Sequence, residues 1–139
     1  MKKQFILFTV SLLLISFVSA FAGSPDTKDY SKVGKEAIDN LLVGVKSENR
    51  GLRVSCAYFL GEYKANVAVI PLMKMLHDEK TEEGRIIAAL SLVKIGNAMG
   101  IYAVKEAAEK DDSQRVRNLC ARFYNTYAAS GAEEESTKL

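Results

Sequence analysis

The side chains in this chain with the most potential for chemistry are one histidine, two cysteines and several adjacent carboxylates. His77 is the only histidine, so the histidine-rich ligand set of many metal centres is missing. Neither Cys56 nor Cys120 lies near His77 in register, which argues against a thiol nucleophile activated by an imidazole. The place of His77 at a predicted helix C-terminus is typical of a solvated residue that interacts with the helix dipole.

Two acidic pairs, Glu82–Glu83 and Asp111–Asp112, stand at predicted helix starts. Consecutive side chains on a helix point in different directions, so these pairs suit helix capping better than joint acid and base catalysis. The glycine-containing turn Gly96–Gly100 follows a helix pattern, which is the wrong context for a phosphate-binding loop. The sequence therefore predicts no catalytic residues, no metal ligands, no cofactor and no enzymatic activity.

Three arginines, Arg53, Arg85 and Arg117, are separated by intervals of 32 residues. One hypothesis is a row of anion-binding groups along a surface. The other is structural: each arginine opens a helix near the preceding acidic turn, so it could bond the carboxylate of Asp78 or Asp111 and nearby carbonyls. We interpret these five residues as a structural ladder along the fold.

Small residues follow the same interval, recurring at 56, 88 and 120 and again at 57, 89 and 121. A short period with two helix patterns per unit predicts an all-α fold, namely a short right-handed α-solenoid of antiparallel helix pairs. We expect six helices, at about 31–45, 49–63, 67–77, 82–95, 101–110 and 112–129. The second helix is expected to bury Leu52, Cys56, Ala57, Phe59 and Leu60.

The two cysteines occupy equivalent positions two repeats apart. Stacked helices lie about 8–10 Å apart, which separates Cys56 from Cys120 by roughly 20 Å. Because a disulfide needs Cα atoms within about 7 Å, we predict that both are unpaired, small, buried core residues. The alternative is an intermolecular bridge or a reactive thiol.

The N-terminus has the three-part pattern of a secretory signal peptide: Lys2 and Lys3, the apolar stretch 5–22, and the small-x-small site Ala20–Ala22. The sequence predicts a signal peptide at 1–22, a polar leader at 23–30, a helical repeat domain at 31–129 and a disordered acidic tail at 130–139. An uncleaved membrane anchor is the alternative, since the apolar stretch could just cross a bilayer. We expect an exported protein, periplasmic or secreted, with no membrane contact after cleavage.

The formal charge of +2 arises from Lys2 and Lys3, so residues 23–139 are neutral. Neutrality gives no electrostatic reason to expect nucleic acid or an anionic membrane as a partner. A repeat surface instead predicts another protein or a peptide as the partner. Self-association is also open, because an uncapped solenoid end can stack on a second copy.

The repeats resemble HEAT repeats, in the short form typified by the phycobilisome-lyase group. The matching elements are the Leu76-x-Asp78 turn, the pairs Leu52–Arg53 and Val116–Arg117, and Leu60–Gly61 at a helix end. The middle unit departs from the pattern, because Gly84 replaces the apolar residue before the arginine. The resemblance implies an α-solenoid and, through analogy of fold alone, a chromophore-attachment lyase.

Four apolar residues occupy helix positions that the repeat pattern would expose: Val54, Tyr58, Ile86 and Leu90. Exposed apolar patches often mark partner sites, so we predict a candidate partner-binding patch there. A modest rotation of the helices, which would bury the four, is the alternative. The predicted function is an exported, non-catalytic protein-protein interaction or scaffold module. The alternatives are an accessory lyase-like enzyme subunit and a self-associating structural element.

Overall fold

The computed structural model describes residues 33–136, which form six α-helices joined by short turns. The helices are α1 (Lys35–Gly44), α2 (Arg50–Glu62), α3 (Val69–Asp78), α4 (Glu82–Ile95), α5 (Ala98–Lys110) and α6 (Gln114–Ser136). A 3₁₀ turn, Asn66–Ala68, precedes α3. No residue of 33–136 lies in a β-strand. The prediction of an all-α fold with six helices is confirmed.

The helices pack in two layers. The first layer holds α2, α4 and α6, and α4 contacts both of its neighbours there. The second layer holds α3 and α5, while α1 packs on α2 at the N-terminal end. Successive helices α3 and α4, and then α5 and α6, contact each other across the layers, as short connections require of antiparallel pairs. This pattern agrees with the stacked pairs of a solenoid.

Small residues allow the helices of the first layer to approach closely. Ala57, Ala88 and Ala89 are completely buried between α2 and α4 or beside them. At the closest point, a Cβ added to Gly61 would lie 2.7 Å from the Cα of Ser91. The predicted close packing at positions 56–57 and 88–89 is therefore present.

Helix starts in the first layer also repeat with the 32-residue interval. The side chains of Asn49, Thr81 and Ser113 each accept a hydrogen bond from the backbone N–H three residues later. Each bond satisfies a donor that the first helical turn would otherwise leave unpaired. Ser113 caps α6, and the carboxylate of Asp111 accepts a hydrogen bond from the backbone N–H of Ser113 at 2.8 Å.

Two features at the ends of the domain differ from expectation. Leu52 and Phe59, predicted to face the core, are 48% and 40% exposed. They lie on α2, the first helix of its layer among the described residues, and α1 covers Leu52 only in part, near Gly44. Helix α6 continues to Ser136, so the tail expected from Ser130 is helical over 130–136. No proline interrupts this segment.

The predicted signal peptide at 1–22 and leader at 23–30 lie outside the described residues. Within 33–136, none of the helices combines the length and apolar character needed to cross a membrane. The handedness of the solenoid stays a prediction.

Candidate functional site

The three arginines make part of the predicted contacts, and Arg85 makes the most complete set. Its Nε and Nη2 atoms donate to the two carboxylate oxygens of Asp111, at 2.8 and 3.0 Å. Its Nη1 atom donates to the backbone carbonyls of Glu79 and Lys80, at 3.0 and 3.4 Å. Arg85 therefore connects the turn before its own helix to the turn that follows α5.

Arg53 makes the same connection one unit earlier, but its acidic partner is Glu79 rather than Asp78. The Nε of Arg53 donates to Glu79 Oε2 at 2.9 Å, and Nη1 donates to the carbonyls of Ser47 and Glu48. Asp78 remains in the last turn of α3 and is exposed. Glu79 follows the helix in extended backbone, as Asp111 does after α5. The prediction of Asp78 as a rung is therefore wrong.

The direction of the ladder also differs from the prediction. Each arginine donates to backbone carbonyls of the turn that precedes its helix. The carboxylate partners of Arg53 and Arg85 lie in a later turn, 26 residues further along the chain. Arg117 also donates to a carbonyl of the preceding turn, that of Asp111. Its second contact is with Oε1 of Gln114. No carboxylate among the described residues forms an ion pair with Arg117. All three guanidinium nitrogens of Arg53 and of Arg85 have partners within the fold, and for Arg117 the two terminal nitrogens do.

Gly84, the residue that breaks the repeat pattern, has a structural reason to be glycine. A Cβ at this position would lie 2.3 Å from Cγ of Glu79. The equivalent position in the third unit is Val116, which stands near the shorter acid Asp111. Glycine in the middle unit therefore leaves room for the longer side chain of Glu79 to reach Arg53.

These contacts shift the pKa values of two ladder residues, Glu79 and Arg85. Burial by itself raises the pKa of Glu79, but hydrogen bonds from Arg53 and Thr81 together outweigh burial and lower it. The hydrogen bond with Asp111 raises the pKa of Arg85 despite the opposing effect of burial. The contacts therefore favour the charged forms of Glu79 and Arg85.

The predicted partner-binding patch does not form an exposed apolar surface. Val54 and Ile86 pack partly against the core, and Leu90 is half-buried. Tyr58 alone of the four is exposed, at 38%, and the ammonium of Lys94 lies 4.8 Å from its ring centroid. The helices are rotated so that these columns turn toward the core, which was the alternative interpretation.

A groove of about 640 Å³ lies instead between α3 and α5 in the second layer. Its apolar lining comes from both helices, and charged side chains stand around it. The ladder pair Arg85–Asp111 lies at one side of the groove. The lining residues are Met73, Leu76, His77, Arg85, Ala103, Glu106, Ala107, Lys110, Asp111 and Asp112.

The charges around the groove are mostly paired. His77 Nδ1 lies 2.6 Å from Asp78 Oδ1, and Lys110 Nζ donates to Glu106 at 2.9 Å. The hydrogen bond with Asp78 is the main cause of the raised pKa of His77, and the charge of Glu106 contributes. The predicted exposure of His77 at a helix C-terminus is confirmed.

The other end of the same two helices carries four exposed apolar residues. Val67 and Ile70 precede and begin α3, and Met99 and Tyr102 lie 32 residues later on α5. A hydrogen bond of 3.0 Å from Asn97 to Asn66 joins the two helix starts. Sequence reasoning missed this set, although the 32-residue interval was the signal that links its members. We call the groove and these four residues together the α3–α5 face.

Both cysteines are buried and unpaired, as predicted. Burial raises the pKa of Cys56 and raises the pKa of Cys120 to about 11. Neither thiol lines the α3–α5 groove. Within 33–136, no three His, Cys, Asp or Glu side chains gather in a way that could hold a metal ion.

No family model matches the chain. The chain is similar to phycocyanobilin lyase subunit alpha of Pseudanabaena tenuis (strain PCC 7409), with 36% identity over 83 residues. The matched region covers 54% of this chain and 31% of that subunit, so the chain corresponds to about a third of the curated relative. Similarity to a lyase subunit agrees with the resemblance in the repeats. It also corrects the prediction that the chain has no enzymatic activity, because this relative is named for a lyase reaction.

Proposed function

We propose that the chain is an accessory lyase-type subunit, exported from the cytoplasm, that binds a chromophore and another protein through the α3–α5 face. The observation that carries this proposal is the 36% identity over 83 residues with a phycocyanobilin lyase subunit. That relative is itself a subunit, which implies work alongside a second chain.

The α3–α5 groove supports chromophore binding through its shape and lining. Its volume of about 640 Å³ is within the range of small-molecule sites, and its lining is divided about equally between apolar and polar surface. Met73, Leu76 and Ala103 supply apolar surface, and His77 supplies an imidazole whose pKa is raised by its hydrogen bond with Asp78. The name of the relative makes phycocyanobilin the first probe to use.

The exposed apolar half of the α3–α5 face supports binding of a partner protein. Ile70 and Tyr102 are 60% and 68% exposed, which is unusual for large apolar side chains in adjacent, equivalent positions. Tyrosine and methionine are enriched in protein interfaces, and Tyr102 lies near Met99 on α5. A partner seated here would lie beside the groove and could receive its contents.

The proposal is tested by titrating the chain, expressed at full length, with phycocyanobilin and following its absorbance. We expect saturable binding, weakened about tenfold or more by Ala103→Trp, which fills the groove. Thr126→Trp, at an exposed site on α6, is the matched control and should bind normally. Absence of saturable binding up to about 100 µM, or equal weakening by the control, contradicts the proposal.

Export is a separate part of the proposal and rests on residues 1–22. Cleavage after Ala22 would leave Gly23 as the first residue of the exported protein. Mass spectrometry of the chain recovered from the cell envelope and from the medium tests this. An intact N-terminus in the membrane fraction would support the anchor alternative instead.

A further inference from the structure

Helix α1 joins the other described helices through apolar contacts. It packs on α2, and its half-buried aliphatic residues that reach the core are Ile38, Leu41 and Leu42. Its ion pair, between Lys35 and Asp39, lies within the helix itself. Within 33–136, no hydrogen bond or ion pair connects α1 to another helix.

The later helices, in contrast, are joined to one another by polar side chains. Lys94 of α4 forms an ion pair with Glu62 of α2, and Ser113 donates to Glu82 of α4 at 2.6 Å. The ladder pairs add further connections between neighbouring units. Because these contacts must break together, we expect α2 to α6 to open as one cooperative unit, whereas α1 can leave without breaking any of them.

The turn after α1 is fixed in place by the ladder. Nη1 of Arg53 donates to the carbonyls of Ser47 and Glu48, both at 2.9 Å. Asn49 then caps α2 by accepting from the backbone N–H of Leu52. A fixed turn beside a helix that lacks polar anchors has the properties of a hinge, so α1 can swing about residues 45–46 while α2 keeps its first turn.

The C-terminal end of α1 covers the thiol of Cys56. A Cβ added to Gly44 would lie 2.3 Å from Sγ of Cys56, so the backbone of α1 lies directly against the sulfur. Cys56 is only 5% exposed in this arrangement. Cys120, its equivalent two units later, is completely buried on α6. Burial of Cys56 therefore depends on α1, whereas burial of Cys120 depends on the later helices.

We propose that α1 is a hinged lid, which opens from α2 about the turn held by Arg53 and uncovers Cys56 while α2 to α6 stay folded. Access to Cys56 is then controlled by the opening of α1, and access to Cys120 by unfolding of the larger unit. The lid is independent of the proposed function, because α1 and Cys56 lie outside the α3–α5 face.

Thiol labelling of the full-length chain under native conditions tests the proposal, with one cysteine at a time replaced. Alanine occupies the equivalent position 88, so Cys120→Ala and Cys56→Ala both reproduce a residue that the repeat already accepts. With Ellman's reagent in excess, we expect Cys56 to react at least about tenfold faster than Cys120, although both react far more slowly than in denaturant.

A change in α1 should act on one thiol alone. Ile38→Ala removes part of the apolar contact that holds the lid closed. We expect it to speed the reaction of Cys56 about tenfold and to leave that of Cys120 unchanged. Asn40→Ala, at an exposed site on the same helix, is the matched control and should leave the reaction of Cys56 unchanged.

Arg117→Met provides the opposite comparison, since it weakens contacts at the start of α6. It should speed the reaction of Cys120 and leave that of Cys56 unchanged. Equal rates for the two thiols in the otherwise unaltered chain would overturn the proposal, because both would then report unfolding of the whole domain. Equal acceleration of both thiols by Ile38→Ala or by Arg117→Met would overturn it as well.

Discussion

Arg85 and Asp111 form a two-point ion pair, with Nε and Nη2 of the arginine donating to the two carboxylate oxygens at 2.8 and 3.0 Å. The pair connects the start of α4 to the turn between α5 and α6. It therefore joins neighbouring units of the stack through a side chain from each. Arg53 and Glu79 form the corresponding pair one unit earlier.

The ladder predicts unequal costs for removing its arginines. Arg85→Met keeps the aliphatic bulk but leaves the largely buried Asp111 carboxylate without its cation, so we expect a loss of about 3 kcal/mol in the free energy of unfolding. Arg117→Met removes hydrogen bonds to a carbonyl and an amide, and we expect a loss of about 1 kcal/mol. Chemical denaturation followed by circular dichroism measures both values.

Arg85→Lys provides the matched control for charge. A lysine keeps the positive charge but cannot make the two-point contact, so we expect an intermediate loss. Equal stabilities for the Arg85→Met and Arg117→Met variants would show that the ion pair adds nothing beyond the carbonyl contacts.

The lowered pKa of Glu79 predicts acid sensitivity. A carboxyl group whose pKa is lower in the folded state contributes stability above its ordinary pKa and loses that contribution as the pH falls through the folded value. We therefore expect Glu79→Gln to be less stable than the wild type at pH 7. The difference should shrink as the pH falls below about 4.5.

Glu36→Gln, at an exposed site on α1, is the control for this pH series. Its denaturation midpoints should follow those of the wild type throughout the series. A stability difference between Glu79→Gln and wild type that stays constant down to pH 2 would contradict the assigned role of Glu79.

The repeat interval was sufficient to predict the all-α architecture, and the α4 bounds Glu82–Ile95 were predicted without error. It also predicted buried cysteines, because Cys56 and Cys120 occupy positions where the helices approach too closely for larger side chains. The repeat interval could not show whether Asp78 or Glu79 pairs with Arg53. Which side chain turns inward depends on where α3 ends, and one residue changes the direction of a side chain by about 100° on a helix.

Surface exposure was harder to predict than helix position. The pattern that buries Gly84 and Val116 leaves Leu52 exposed, since burial needs a neighbouring helix and not only an apolar residue. Similarly, Val54 and Ile86 are partly buried by the rotation of their helices. A sequence repeat defines equivalent positions, but a residue at the end of a stack has fewer neighbouring helices and can be exposed where its equivalents are buried.

The buried thiols predict slow chemical labelling of the folded chain. Cys120 is completely buried with a pKa of about 11, and Cys56 is buried as well. At pH 8 only about one Cys120 thiol in a thousand would be ionised, and the thiolate is the reactive form. We expect labelling with Ellman's reagent to be at least about a hundredfold slower than in denaturant.

Ser55→Cys adds an exposed thiol on α2 and is the positive control. It should react rapidly with one equivalent of reagent while the two native thiols stay protected. Rapid labelling of the wild type would instead indicate an accessible nucleophile, and would restore the reactive-thiol hypothesis for the lyase-type function.

Gly84 and Glu79 are predicted to be coupled. Gly84→Val places a Cβ where only 2.3 Å separates it from Cγ of Glu79, so the acid must move away from Arg53. Valine has a slightly better helix propensity than glycine, yet we expect a loss of about 3 kcal/mol because overpacking and the broken ion pair outweigh that gain.

Shortening the acid should relieve this conflict. The double variant Gly84→Val with Glu79→Asp reproduces the combination of Val116 and Asp111 found in the third unit. In a double-mutant cycle, we expect a favourable coupling of about 1–2 kcal/mol, because aspartate needs less space beside valine and can still face the guanidinium. Denaturation midpoints of the four proteins give the coupling directly. Strict additivity would show that Gly84 is tolerated for a reason unrelated to the length of its acidic neighbour.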